Sequence, residues 1–341
     1  MMHRGSCTWA WRSFSFGKRS VLACVLAGGL VCGPGVARGA WQLSWSDEFE
    51  GSSIAATNWT FEIGNGRGGW GNNELEYYTS RPQNIYVSNG LLHIVARKES
   101  YSGFNYTSAK IRSHGLFSQK YGRFEFRARL PEGKGYWPAL WMMPEDSVYR
   151  GWPASGEIDV MENRGSDPAT VLGTVHFGSS SRHAQSSGPP YRFPSGDSVT
   201  NFHVYAVEWS ETAVSWYVDG NLYETQKSWW SSGGPYPAPF DQPFYIIMNM
   251  AVGGNFVGSP DGVTAFPGDM QVDYVRAYKW VNPPPVPVIQ KSASNLLLGR
   301  RYGVLQSAHN AAGSWSDVTG ATSPFSIAPA GQQQFYRIHE P

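Results

Sequence analysis

Short runs of alternating apolar and polar residues recur along the middle of the chain, and they constrain the fold more than any other feature. Such runs lie at residues 91–96, 123–128, 204–209 and 214–218. Successive side chains of a strand point to opposite faces, so this period of two predicts strands that each bury one face. No long segment between residues 41 and 280 has the spacing of an amphipathic helix. The pattern predicts an all-β fold.

Turn signals separate these runs. Asn89-Gly90 and Asp219-Gly220 each stand between two predicted strands, a signature of tight β-hairpins. Longer segments at 62–74, 178–200 and 226–243 are rich in Gly, Pro, Ser and aromatic residues. Loops of this length in a compact domain are usually functional. Antiparallel strands connected in this way predict two sheets that pack face to face as a β-sandwich.

The first 39 residues have the composition of a signal peptide. They hold five basic residues and no acid, and an apolar stretch at 21–31 precedes small residues near Ala37 and Gly39. This order is typical of segments that are removed during export. The apolar stretch is too short for a good membrane span. We therefore expect residues 1–39 to be a signal peptide, the protein to be secreted or periplasmic, and no membrane attachment after cleavage.

The rest of the chain is mildly acidic and lacks cysteine. The sequence has 27 Lys and Arg against 26 Asp and Glu, and setting aside the five basic N-terminal residues leaves 22 against 26, a formal charge of −4. This balance argues against DNA or RNA as a partner. Because Cys7, Cys24 and Cys32 all precede residue 40, we expect no disulfide and no Cys-ligated zinc in the remainder.

A proline-rich stretch divides the chain near its C-terminal end. Residues 282–287, Asn-Pro-Pro-Pro-Val-Pro, have the composition of a stiff linker. They separate a large domain at 40–281 from a segment at 288–341 that contains short β-like runs. We expect the latter to be a small β module of unknown role, with a poorly ordered tail as the alternative.

Three acidic residues lie on one predicted strand, in the segment Ser-Gly-Glu-Ile-Asp-Val-Met-Glu-Asn at 155–163. In a regular strand Glu157 and Asp159 share one face, whereas Glu162 faces the core, where a charge is costly. One extra residue at Val160-Met161, a β-bulge, places Met161 in the core and Glu162 beside the other acids. The segment therefore predicts its own bulge.

Aligned carboxylates repel one another unless one holds a proton. A retaining glycosidase uses this asymmetry, with a carboxylate nucleophile and a protonated acid about 5–5.5 Å apart. We expect the neighbouring charges to raise the pKa of Glu162. A solvated edge strand and a metal site are the alternatives. The 15 tryptophans favour sugar chemistry over both, because indole faces stack well on flat ligands.

The acidic segment resembles the catalytic signature of glycoside hydrolase family 16 in its bulged form, E-x-D-x-x-E. The resemblance extends over about residues 41–280, with matching phrases at 45–49, 73–79, 137–144, 174–177, 249–254 and 272–276. It implies a β-jelly-roll (concanavalin-like) sandwich with a concave substrate-binding face. It also implies that Glu157 is the nucleophile, Glu162 the general acid/base and Asp159 their helper.

The resemblance further implies a set of sugar-binding residues, which are Asn72, Asn73, Arg112, Trp137, Trp141, Trp152, His176 and Asn249. His176 is expected to contact Glu162 or the sugar. Core packing is the alternative for each tryptophan, a structural role for His176, and an exposed strand charge for Arg112.

The phrases at 137–142 and 249–254 most resemble laminarinases, which implies an endo-acting β-1,3-glucanase. The alternatives within the family are an agarase- or carrageenase-type galactanase, a mixed-linkage glucanase and a transglycosylase. A non-catalytic β-glucan-binding protein on the same fold is the alternative from another class, although such proteins usually lack the catalytic acids.

Members of the family often hold a structural calcium ion on the convex side. The resemblance implies Glu48, the carbonyl of Gly90 and Asp273 as its oxygen ligands. Two acids on separate surfaces are the alternative. We expect no cofactor for catalysis, a polysaccharide as the partner, and a monomer.

Overall fold

The computed structural model describes residues 39–281 and shorter stretches nearer the C-terminus, at 288–292, 295–299, 304–309, 314–321, 325–327 and 335–339. Apart from Gly39, the predicted signal peptide lies outside the described residues, as does the proline-rich stretch at 282–287. No helix in the described part of the chain is long and apolar enough to span a membrane.

Strands make up most of the regular structure. In chain order they are β1 (Ala40–Asp47), β2 (Thr60–Glu62), β3 (Glu76–Tyr78), β4 (Ile85–Ser88), β5 (Leu91–Tyr101), β6 (Phe104–Ser108), β7 (Lys110–Arg112), β8 (Ser118–Gln119), β9 (Gly122–Arg129), β10 (Tyr136–Pro144), β11 (Glu157–Glu162), β12 (Thr170–Ser179), β13 (Arg182–Ser186), β14 (Tyr191–Arg192), β15 (His203–Trp209), β16 (Val214–Val218), β17 (Asn221–Gln226), β18 (Phe244–Val252), β19 (Gly268–Val281), β20 (Val288–Ser292), β21 (Asn295–Gly299), β22 (Val304–Ala308), β23 (Ser316–Asp317), β24 (Phe325–Ile327) and β25 (Phe335–His339). Between β2 and β3, a short turn at Gly69–Asn73 has left-handed backbone angles at Trp70.

Two large sheets form the predicted sandwich. One has the order β17-β16-β15-β9-β19-β5-β6-β3, with β1 beside β19 and β4 beside β5. The other has the order β13-β12-β11-β10-β18-β7-β2, with β14 beside β12 and β8 beside β18. Nearly all neighbours are antiparallel, and β3 and β6 are a parallel pair. The all-β prediction is therefore confirmed.

The two sheets share one apolar core. Phe124 and Phe126 of β9 face it from the first sheet, and Leu140 and Met142 of β10 face it from the second. The residues that alternate with these on β10, such as Trp141, lie on the opposite, open face. Alternate side chains of the same strand therefore face either the core or the open face of the sheet.

The strands after residue 287 belong to a compact unit distinct from Trp41–Val281. They form two three-stranded sheets, in the orders β20-β21-β24 and β23-β22-β25. The β-like runs in this part of the sequence therefore correspond to strands.

The two acids predicted to bind calcium, Glu48 and Asp273, are paired with arginines in this structure. Glu48 forms a two-point ion pair with Arg276, with N···O distances of 3.0 and 2.7 Å, and the bond to Arg276 is the main cause of its lowered pKa. Asp273 pairs with Arg127 at 2.5 Å. Gly90 lies beside the carboxylate of Glu50 instead. Both acids therefore form ion pairs with arginines of neighbouring strands, which their spacing in the sequence did not indicate.

Candidate active site

The acidic segment forms β11, and it contains the predicted bulge. Asp159 pairs with Thr174 of β12, whereas Glu162 pairs with Leu172, so a step of three residues on β11 spans two on its partner. Val160 and Met161 are both buried in the core. As a result Glu162 turns to the open face, and all three acids line one cleft of about 800 Å³.

A tryptophan from the opposite sheet completes the bulge. A bulge disrupts the strand ladder locally, and here the carbonyl of Asp159 accepts a buried hydrogen bond of 2.8 Å from Trp216 Nε1. The ring lies against Gly173 of β12, where a Cβ atom would come within 2.2 Å of it. Trp216 was not predicted, because it is 57 positions away from Asp159 and on the other sheet.

Alternate residues of neighbouring strands form the floor of the cleft. Those of β10, β12 and β18 are Trp137, Ala139, Trp141, Met143, Leu172, Thr174, His176, Tyr245, Ile247, Asn249 and Ala251. The residues between them on these strands face the core. The floor is therefore a regular sheet surface, which holds its side chains on rigid backbone.

Each glutamate accepts a hydrogen bond from an indole. Trp152 Nε1 donates to Glu157 Oε2 at 2.7 Å, and Trp137 Nε1 donates to Glu162 Oε1 at 2.9 Å. Burial is the largest influence on Glu162 and raises its pKa, the charge of Glu157 adds to this, and the Trp137 bond opposes it. We expected neighbouring charges to cause this rise, but burial contributes more.

Asp159 lies almost fully buried on the strand between the two glutamates. His176 Nε2 is 3.0 Å from its Oδ2 and 4.0 Å from Glu157 Oε1. Burial, followed by the charges of Glu157 and Glu162, raises the pKa of Asp159 well above its ordinary value. Burial lowers the pKa of His176, but its contact with Asp159 and the three acidic charges outweigh burial and bring it to about 9. His176 therefore lies at ion-pair distance from the buried carboxyl group of Asp159.

His176 also contacts a second histidine. His176 Nδ1 and His183 Nε2 are 2.8 Å apart, and the His183 ring lies 4.6 Å from that of Trp152. Burial and the charge of His176 lower the pKa of His183. Glu157, Asp159 and His176 also form a group of three potential metal ligands, whose ligand atoms all lie within 4.8 Å of one another. It is the one such group in the described part of the chain. The imidazole–carboxylate contact accounts for this cluster.

Six of the predicted sugar-binding residues line the cleft, namely Asn72, Trp137, Trp141, Trp152, His176 and Asn249. The other two do not line it. Asn73 Nδ2 donates to Asn255 Oδ1 at 3.0 Å, and Arg112 Nη1 donates to Glu62 Oε1 at 2.5 Å. Because Glu62 lines the cleft, Arg112 contacts the cleft wall through that carboxylate.

Several residues of the cleft were not predicted. Lys110 Nζ is 3.0 Å from Glu62 Oε2 and lies over the rings of Trp70 and Trp141, at 4.3 and 4.9 Å. Its position two residues before Arg112 on one strand was a usable signal, since such residues share a face. At another point of the wall, the Arg164 guanidinium lies 4.0 Å over the ring of Phe256. That contact joins two loops, and no local pattern indicates it.

Comparison with known proteins places the chain in a family. The sequence profile of Glycosyl hydrolases family 16 matches residues 72–276. The chain is 48% identical over 256 residues to glucan endo-1,3-beta-glucosidase A1 of Niallia circulans, a match that covers 70% of this chain but 38% of that protein. It is 44% identical over 259 residues to the beta-glucanase of Rhodothermus marinus, covering 71% of this chain and 86% of that protein.

A solved structure gives the same assignment. The laminarinase catalytic domain from Thermotoga maritima MSB8 superposes with a TM-score of 0.64 at 44% identity, covering 71% of this chain and 99% of that one. The sandwich, the bulged acidic strand and these matches agree. The chain belongs to glycosyl hydrolases family 16, and it is a glycoside hydrolase.

Proposed function

We propose that this protein is an exported, retaining endo-β-1,3-glucanase that hydrolyses laminarin-type β-glucans. The observation that carries the proposal is the bulged strand, which brings Glu157, Asp159 and Glu162 to one cleft lined by tryptophans. The β-1,3-glucan activities named for its relatives support the choice of substrate. The composition of residues 1–39 supports export.

In the first step Glu157 attacks the anomeric carbon while Glu162 gives its proton to the glycosidic oxygen. The bond between sugar and leaving oxygen breaks, and an ester between the sugar and Glu157 forms. The Trp152 N–H supports this role by holding one oxygen of Glu157. Burial of Glu162 supports its role as the acid, because a raised pKa retains the proton.

In the second step water releases the sugar. Glu162, now a carboxylate, takes a proton from water as the water oxygen attacks the anomeric carbon and the ester bond to Glu157 breaks. Two displacements at one carbon return the β-anomer. The contact of His176 with Asp159 limits the negative charge beside Glu157 during both steps.

The cleft supports cutting within a chain. Its four tryptophans, Trp70, Trp137, Trp141 and Trp152, lie in three segments of the chain and form several stacking surfaces. Glu62 and Glu74 add carboxylates to the wall, which disfavours sulfated galactans.

Substrate and stereochemistry can be tested together. We expect release of reducing ends from laminarin and curdlan, with much less from agarose, carrageenan and barley glucan, and short oligosaccharides before glucose. Proton NMR of the first product should show the β-anomer. An α-anomer would rule out retention, and glucose as the sole early product would rule out endo cleavage.

Glu157→Gln and Glu162→Gln should each lose nearly all turnover, because nucleophile and acid act as one unit. Azide should restore turnover of Glu157→Ala with an inverted product, since it replaces the missing nucleophile. More than a few percent of activity in Glu157→Gln would contradict the assignment.

A further inference from the structure

Glu76 is a buried acid that the proposed mechanism does not use. It is the first residue of β3, and none of its surface is exposed. Its Oε2 accepts the backbone N–H of Val252 at 2.6 Å, while its Oε1 is buried and receives no hydrogen bond from the described residues. The carboxyl group of Glu74, which lines the cleft, is within hydrogen-bonding reach.

A directed chain of hydrogen bonds leads from the cleft floor to Glu74. Trp141 Nε1 donates to Asn249 Oδ1 at 2.7 Å, Asn249 Nδ2 donates to Tyr78 Oη at 3.0 Å, and Tyr78 Oη donates to Glu74 Oε2 at 3.2 Å. An indole N–H can only donate, so it sets the orientation of the Asn249 amide. The amide N–H then occupies the Tyr78 oxygen, and the phenol proton is left for Glu74. The chain therefore requires Glu74 to be an acceptor.

The same contacts locate the remaining proton. A buried carboxylate beside a second, half-buried one cannot be charged at low cost. Glu74 must accept from Tyr78, and it also accepts from Asn72 Nδ2 at 3.4 Å, so the proton belongs on Glu76. In agreement, burial and then the charge of Glu74 raise the pKa of Glu76 well above its ordinary value. Burial also raises the pKa of Glu74, but its bond to Glu76 and the charge of Lys110 oppose this.

We propose that Glu76 is a positioning residue, whose proton keeps Glu74 as the single carboxylate that anchors Asn249 and the Trp141 ring against the glucan. That the ligand is a glucan rests on the proposed function. The titratable groups around the pair are Tyr78 on β3, Lys110 on β7 and Glu62 on β2, which pairs with Lys110. Glu74 lines the cleft and Glu76 is buried behind it on β3.

Loss of the Glu76 proton at alkaline pH has a specific consequence. Glu74 and Glu76 are then both charged and repel each other. The hydrogen-bond chain from Trp141 through Asn249 and Tyr78 then loses the fixed position of its final acceptor, Glu74. The Trp141 N–H contacts Asn249 rather than an acid, so we expect the effect on KM to exceed the effect on kcat.

Two substitutions of Glu76 distinguish the effect of its proton from the effect of its side-chain shape. In Glu76→Gln the amide oxygen can accept from Val252 and the NH₂ can donate to Glu74, without a titratable proton. In Glu76→Leu no donor remains. Both changes are made in the Glu157→Gln background, and laminarihexaose binding is measured by calorimetry from about pH 6 to about pH 9.

We expect the parent to lose affinity several-fold across this range, Glu76→Gln to lose much less, and Glu76→Leu to bind weakly throughout. Glu224→Gln is the matched control, since Glu224 is another buried acid with a raised pKa, caused by burial, on β17 at the other end of the same sheet. It should leave the parent's pH dependence unchanged. An equal loss of affinity in parent and Glu76→Gln, or no binding by Glu76→Gln at any pH, would overturn the inference.

An infrared measurement needs no ligand. At neutral pH the parent should show the carbonyl band of a protonated carboxyl group that Glu76→Gln lacks and Glu224→Gln retains. If laminarihexaose does not bind the parent, the proposed substrate is wrong, and this band still decides where the proton lies. Absence of a difference between parent and Glu76→Gln overturns the inference, even if Glu76→Leu does not fold.

Discussion

At the scale of single residues, the cleft gives two chemically identical side chains different environments. Glu157 and Glu162 each accept one indole N–H. Glu157 also has the His176 imidazole 4.0 Å away, whereas burial dominates the surroundings of Glu162. This asymmetry supports the different roles proposed for the two glutamates.

Trp137→Phe should raise the pKa of Glu162, because the indole N–H stabilises the ionised carboxyl. The alkaline limb of the kcat/KM profile should therefore move to higher pH. We also expect about a 10- to 150-fold loss in kcat/KM, since a hydrogen bond to a charged group contributes about 1.5–3 kcal/mol. Trp141→Phe is the control, because its N–H meets Asn249. A limb that moves to lower pH in Trp137→Phe would contradict the prediction.

Asp159→Asn should lower the pKa of His176 from about 9, because the contact with Asp159 is the main influence that raises it. A less charged His176 should in turn raise the pKa of His183, which the His176 charge now depresses. NMR titration of both imidazoles measures the two opposite shifts in one experiment. If His176 titrates as in the parent, its contact with Asp159 does not raise its pKa.

At the scale of elements, the bulge in β11 depends on support from the other sheet. The Asp159 carbonyl is satisfied by Trp216 of β16 across the core. The main chain between the acids is therefore held by a residue that takes no part in the chemistry.

Trp216→Phe should leave that carbonyl unpaired and lower the free energy of unfolding by about 1–3 kcal/mol. It should also lower kcat, because the acids are positioned by the bulge. Trp209→Phe is the matched control, since Trp209 Nε1 donates to the buried carbonyl of Phe240 at 3.0 Å. Urea unfolding and turnover are measured for both variants. Similar losses of stability with equal kcat values would show that Trp216 does not support the site.

At the scale of the whole molecule, buried carboxyl groups with raised pKa values determine the pH dependence of stability. Burial raises the pKa of Asp159, Glu162 and Glu76. In the folded protein they retain protons that the unfolded chain releases above its ordinary value of about 4. Their contribution is complete below that pH and is lost as pH rises through the folded pKa values.

Other acids have lowered pKa values, so their effect on the pH dependence of stability has the opposite sign. Hydrogen bonds with Arg276 and with Thr107 are the main causes that lower the pKa values of Glu48 and Glu99. Their contribution is present above the ordinary value and lost as pH falls, but both are partly exposed ion pairs, which solvent screens. We therefore expect calorimetry to show a Tm that declines from mildly acidic to alkaline pH, with a shallower decline in Glu76→Gln. A Tm that rises steadily up to about pH 9 would refute this.

Much of the fold and the central part of the site could be predicted from the sequence. The period of two indicates which residues of β9 and β16 face the core, because alternation is a local property of the strand. The bulge follows from the cost of a core-facing Glu162, and Met161 is buried as predicted. These conclusions depend on residues that are adjacent along the chain.

Contacts between strands that are distant in sequence were decided only by the tertiary structure. Trp216 under the bulge, His183 beside His176 and the Glu74–Glu76 pair beside Val252 all depend on strand order and register. For the same reason the sequence did not indicate that Arg276 pairs with Glu48, because 228 positions separate them. Spacing along a strand determines which face a side chain occupies, whereas its neighbours across the sheet depend on how the whole chain packs.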